Sequence, residues 1–222
     1  MNVEAPTAQA SPQKQWWLRA LAIFQSPRPV FAALRDESKR DMEAREEPVL
    51  AIILLAGISG ILMASGSGRL LDDDLVDDSA AVLAVLVFLS GALYGVASYW
   101  IGGAALYVGM RGAGSRGSYR RARHVLAFAA LPLVLGLVVV WPIRLAVYGL
   151  DSFRSGGSDA GDGNLLLELA SAVFALWALG LLVYGISVVE RWRLMRAAVS
   201  LALAVLAVLV LTFPFLIPLA SR

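Results

Sequence analysis

The chain contains no cysteine. Disulfides, thiolate metal ligands and cysteine nucleophiles are therefore excluded. There is one histidine, His124, so a metal site would have to rest on carboxylates. Neither Gly-x-Ser-x-Gly nor His-Glu-x-x-His occurs, which leaves hydrolase and metalloprotease chemistry without a foothold. No enzyme, cofactor or metal site is expected. Charge is scarce as well: 16% of the 222 residues are charged and 59% are hydrophobic, with mean hydropathy +0.71. A soluble domain carries ~45–50% apolar residues, so the surplus belongs against lipid. The class is an integral membrane protein.

What is present is a set of long apolar runs. Five are long enough to cross a ~30 Å hydrocarbon core as helices, at about 48–68, 80–109, 124–144, 165–189 and 197–219. The first 47 residues carry charges throughout and no long apolar run, so no signal peptide is expected. Residues 1–12 read as a disordered tail and 13–47 as a juxtamembrane helical segment ahead of a membrane domain at 48–222.

Lys and Arg retain short loops in the cytoplasm. Seven lie in the N-terminal segment, five in residues 111–123 and three in 190–196, so fifteen of nineteen share one side. The other side carries the aspartates at 72–74, 77–78, 151, 159 and 162. An odd number of spans then puts the N-terminus in the cytoplasm and the C-terminus outside. The localisation that follows is the cytoplasmic membrane of a cell, crossed several times.

Residues 14–35 read KQWWLRALAIFQSPRPVFAALR, with four basic residues and no acid. Trp16, Trp17, Arg19, Phe24, Arg28 and Phe31 suit an interfacial or amphipathic helix in the headgroup region, or one packed on the bundle. Ser26-Pro27 reads as a helix start. From Asp36 to Glu47 opposite charges recur four apart, at Asp36/Arg40, Lys39/Glu43 and Asp41/Arg45, as on a solvated helix face.

Within the spans, Ala56, Gly60, Ala64 and Gly68 repeat at intervals of four, and Gly91 precedes Gly95 by four. Small stripes of this kind let helices approach closely, inside one bundle or in a homo-oligomer. The long second span is expected to bend at Gly102-Gly103, and the third to be broken by Pro132. Arg144 and Glu168 stand near the outer ends of the third and fourth spans as a candidate ion pair.

Residues 112–117, GAGSRG, match G-x-G-x-x-G. A dinucleotide fingerprint needs a preceding strand and an acid about twenty residues on. Here an apolar span precedes it and the next acid is Asp151, so no nucleotide is expected. The glycines read as a flexible hinge, and Tyr119, Arg120, Arg121 and Arg123 as candidate contacts for lipid headgroups or a partner. The aspartates at 72–78 lack EF-hand spacing and read as a solvated outer loop.

Phe24-Gln25-Ser26-Pro27 with Phe31 and Leu34, Pro48 at the start of the first span, and Gly117-Ser118-Tyr119-Arg120 leading into AFAALPLVL resemble the Yip family. The bias to arginine, 17 against two lysines, fits GC-rich coding and hence its bacterial branch. The resemblance covers about residues 20–219 and implies five spans with a cytoplasmic N-terminus. Eukaryotic members engage Rab GTPases in vesicle traffic; their Asp-Leu-x-Gly-Pro signature has no counterpart here, so no Rab-contact residue carries over. The function implied is non-enzymatic membrane organisation or partner recruitment, with membrane lipids, a protein partner or a second copy as partners and no nucleic acid. The alternative is a small-solute or ion transporter or channel subunit, with Ser90, Tyr94, Ser98 and Tyr99 lining a path.

Overall fold

The computed structural model describes residues 12–63, 80–153 and 164–220. Two short helices lead the chain, α1 (Pro12–Ala22) and α2 (Pro27–Ala33). The membrane domain follows as α3 (Lys39–Met63), α4 (Ala80–Ala97), α5 (Gly103–Gly112), α6 (Tyr119–Ala129), α7 (Leu131–Tyr148), α8 (Leu165–Glu190) and α9 (Leu194–Ala220). A π-helical turn, Ser98–Gly102, joins α4 to α5, and a 3-10 turn, Gly149–Phe153, ends α7. The described residues contain five helices long and apolar enough to span a membrane, and no strand. Of the expected tail only Pro12 is described, and it opens α1. Ala64, Gly68 and the aspartates at 72–78 lie outside the described residues.

Each boundary has a local cause. Ser26 precedes α2 as its N-cap residue, but its hydroxyl makes no cap bond; Pro27, with φ preset by its ring, starts the helix. Ser118 does cap, its Oγ accepting from the Arg121 amide at 3.1 Å. Pro132 cannot donate to a carbonyl four residues back, so the third span breaks: Ala130 bonds the carbonyls of Leu126 and Ala127, and α7 starts afresh with the proline in its first turn. Pro48 has no such effect, because α3 runs unbroken from Lys39 through it to Met63. The first span thus begins nine residues before the expected start, and the charged stretch ahead of Pro48 forms its first turns.

The second span runs 31 residues, Val82–Gly112. Its irregularity lies in the π turn that ends at the expected glycine pair, which makes room for one extra residue and turns the following face by about 100°.

The tightest helix contact is between α3 and α4. A Cβ on Gly57 would lie 2.5 Å from the Gly95 Cα, and one on Gly91 would lie 2.6 Å from the Ile58 Cα, so backbone meets backbone. Gly60, one turn on, faces the Tyr94 ring, with a Cβ 2.6 Å from its Cε1. The partner of the Gly91/Gly95 stripe on α3 is therefore Gly57, beside the Ala56/Gly60 series. Gly180 on α8 faces open space. Gly95→Ala is expected to lower stability by ~1–3 kcal/mol through overpacking, while Gly180→Ala leaves it unchanged; paired thermal unfolding in one detergent checks this.

Candidate functional site

The ends of α3, α5, α6, α8 and α9 that lie nearest the N-terminal helices form one charged face. The spacing of Trp16, Ala20 and Ile23 turns one side of α1 inward, where all three are buried. Trp16 is 1% exposed, its ring 5.5 Å from Phe128, and its Nε1 donates to Asp41 Oδ1 at 3.1 Å. Trp17, Leu18 and Leu21 face outward, at 38%, 55% and 67% exposed. Trp16 is thus an internal packing residue, and its neighbour Trp17 is the exposed one.

Asp41 collects three partners. Besides Trp16 it pairs with Arg19 at 3.9 Å and Arg45 at 3.6 Å. Arg45 is completely buried, 5.5 Å from the Trp16 ring, and its Nη2 donates to the Asp36 carbonyl at 3.0 Å. The expected solvated ladder is therefore split. Lys39 and Glu43 form an exposed pair at 3.8 Å, Asp41/Arg45 closes inside, and Asp36 turns back to accept from the Ser38 amide at 2.9 Å. That amide holds the Asp36 carboxyl below its usual range.

A second cluster ties α2 to the far spans. Phe31 is buried against α8, 6.5 Å from Tyr184, and Phe24 sits edge-on to Trp177 at 5.4 Å. Arg35 donates through Nε to the Val189 carbonyl at 3.1 Å and through Nη2 to Val188, capping α8 with a cation. Desolvation and the nearby Arg191, Arg121 and Arg28 lower its pKa, yet a guanidinium stays charged. Arg121 stands between Glu37 Oε2 at 3.0 Å and Glu190 Oε1 at 4.0 Å, and Ser118 donates to Glu37. Arg28 is exposed, and the exposed Arg120 reaches the Met42 sulfur at 3.3 Å.

The GAGSRG loop is pinned rather than a loose hinge. Gly114 takes φ +92°, and the amides of Gly114 and Ser115 donate to Arg111 and Met110, ending α5 in a Schellman motif. Gly117 donates to Ser115 Oγ at 2.9 Å, and Arg196 donates twice to the Ala113 carbonyl, at 2.9 and 2.6 Å. The amides of Ala113, Gly114, Ser115 and Gly117 are thus bonded within the loop and the end of α5.

Arg123 is the least expected member. It is 8% exposed, and its guanidinium carbon lies 3.8 Å from the Trp100 ring centroid, 4.6 Å from Tyr119 and 4.9 Å from Tyr99. Tyr119 Oη donates to the Trp100 carbonyl at 2.7 Å, fixing one wall of this cage. Gly103 clears space for the arginine stem: a Cβ there would collide with Arg123 Cγ. Sequence reading singled out Tyr119 and Arg123 but missed Trp100 and Arg45, because only the fold brings the half-exposed Trp100 ring against Arg123 and encloses Arg45.

At the opposite end Trp141 stacks on Phe153 at 5.8 Å, with Arg144 over the Trp141 ring at 5.4 Å. Glu168 accepts from Asn164 Nδ2 at 3.2 Å. Glu168 is thus engaged with its own helix start.

These features define a class, the five-span α-helical membrane protein with a docked N-terminal segment. A family model, the Yip1 domain, matches residues 21–216, and the chain belongs to that family. No curated protein and no solved structure matches it.

Replacing Arg121 leaves Glu37 and Glu190 facing an uncharged neighbour. Arg121→Met is expected to destabilise the protein by ~1–3 kcal/mol, measured by thermal unfolding. Arg191, the non-glycine residue with positive φ (56°) among those described, ends α8. Arg191→Gly should stabilise by up to ~1 kcal/mol in the same assay.

Proposed function

We propose that this Yip1-family protein is a non-enzymatic membrane organiser or recruiter, and that its working surface is the charged N-terminal face, turned to the cytoplasm of a cell whose membrane it crosses five times. The observation that carries this reading is the docking of α1 and α2. The inward side of α1 is bound into the bundle through Trp16, Asp41 and Arg45, while Trp17, Leu18 and Leu21 stand outward on the same helix. An exposed apolar patch on a helix held in place by its other side is built to meet a second surface. The basic count on this side, fifteen of nineteen Lys and Arg, supports the orientation.

Of the residues named for a small-solute or ion path, Tyr94, Ser98 and Tyr99 line one groove among the described residues. The groove between α3, the π turn and the α6–α7 junction is lined by carbon apart from a few hydroxyls, whereas ion paths need converging polar groups.

In-membrane photo-crosslinking of the full chain tests recruitment. Probes at Leu18 and Leu21 are expected to give a reproducible protein adduct that a probe at the exposed span residue Leu93 does not. Identical lipid-only labelling at all three positions overturns the recruitment reading.

A further inference from the structure

One cavity in the membrane domain is unaccounted for by packing. A groove of about 520 Å³ runs between α3, the π turn and the α6–α7 junction, lined among others by Ile53, Ala56, Tyr94, Tyr99, Leu126 and Leu133. The tight Gly57/Gly95 contact forms part of its floor, and the break at Ala130 opens its deeper part. Its lining suits a hydrocarbon chain and is of ligand size.

Arg123 is not itself a lining residue, but it precedes the lining residue Leu126 by about one turn on α6, on the side nearer the charged face. Tyr99 is shared, being one of the lining residues and placing its ring centroid 4.9 Å from the guanidinium carbon. Ring faces attract the cation but leave the guanidinium N–H groups, which lie in its plane, unused. No carboxylate among the described residues pairs with Arg123, and its buried Nε has no hydrogen-bond partner. A buried cation held only by rings still wants an anion.

The depths also agree. Leu126 and Leu133 follow Arg123 by three and ten residues, so they lie ~5 and ~15 Å deeper along the span. One leaflet holds ~15 Å of hydrocarbon, half of a ~30 Å core. A cation ~15 Å above the deepest lining residue of the α6–α7 junction has the spacing of a phosphate above its acyl chain.

We infer that this groove binds one membrane phospholipid, with an acyl chain between α3 and the α6–α7 junction and its phosphate accepting hydrogen bonds from Arg123. Exposed Arg120, one turn earlier on α6, adds positive charge and biases the site towards anionic lipids. The site lies apart from the outward side of α1, so it stands or falls independently of recruitment.

Native mass spectrometry of the full chain released from a mild detergent, with a phosphatidylglycerol carrying a photoreactive acyl chain, tests the inference. One lipid per chain is expected, with label on peptides covering 53–60 or 126–133. Arg123→Gln and the groove-filling Ala56→Phe should each weaken retention about tenfold. Arg123→Lys should keep more binding than Arg123→Gln, and lipid-free thermal midpoints near the parent's exclude misfolding. Inorganic phosphate should neither bind nor compete at millimolar concentration. Equal retention in both variants, label confined to other helices, or full competition by phosphate overturns the lipid site. Where a variant unfolds, the acyl-chain label on the parent decides by itself.

Discussion

Asp41 is the group on which the arrangement of the charged face depends. It receives the Trp16 indole, Arg19 and Arg45 at once. Arg45 is fully enclosed, and a buried guanidinium is tolerable only where its charge is answered locally. The carboxylate answers the charge and the Asp36 carbonyl one donor, while the Trp16 ring lies against the cation and leaves Nε and Nη1 without a hydrogen-bond partner. One side chain thereby binds α1, the link into α3 and α3 itself. A headgroup-region helix would use its tryptophans differently, keeping both rings at the lipid boundary. Here one ring is taken inside and its neighbour left out.

Much of the scaffold was legible in the sequence. The five spans follow from length and apolar composition, which no tertiary effect can hide in lipid. The proline break in the third span follows from backbone chemistry. The partner of the Gly91/Gly95 stripe was not legible, because Gly57 sits one position off the evenly spaced Ala56/Gly60 series. A four-residue repeat identifies a face only to within about one residue's rotation, some 100°. The start of the first span was misplaced for a related reason: charges at 36–47 pair on a helix surface whether they face water or protein, and Arg45 faces protein.

The candidate site was legible only as a collection of residue types. Tyr119 and Arg123 could be chosen from the basic loop, yet the cage needs Tyr99 and Trp100, which the π turn rotates towards Arg123. That turn follows no simple residue rule. The glycine match in GAGSRG illustrates the converse: its spacing is real, but Gly114 serves a helix end and the amides of Ala113, Gly114, Ser115 and Gly117 are bonded there.

The docking of the N-terminal segment also has a consequence in time. Arg35 reaches the Val189 carbonyl across 154 residues of chain, and Phe31 packs against Tyr184. At synthesis rates of ~5–20 residues per second, the segment emerges roughly 8–30 s before the end of α8 that completes its seat. Part of the first segment to be made is therefore among the last to be fastened, and during that interval Phe31 lacks its α8 partner. The order of synthesis and the order of assembly run in opposite directions along this chain.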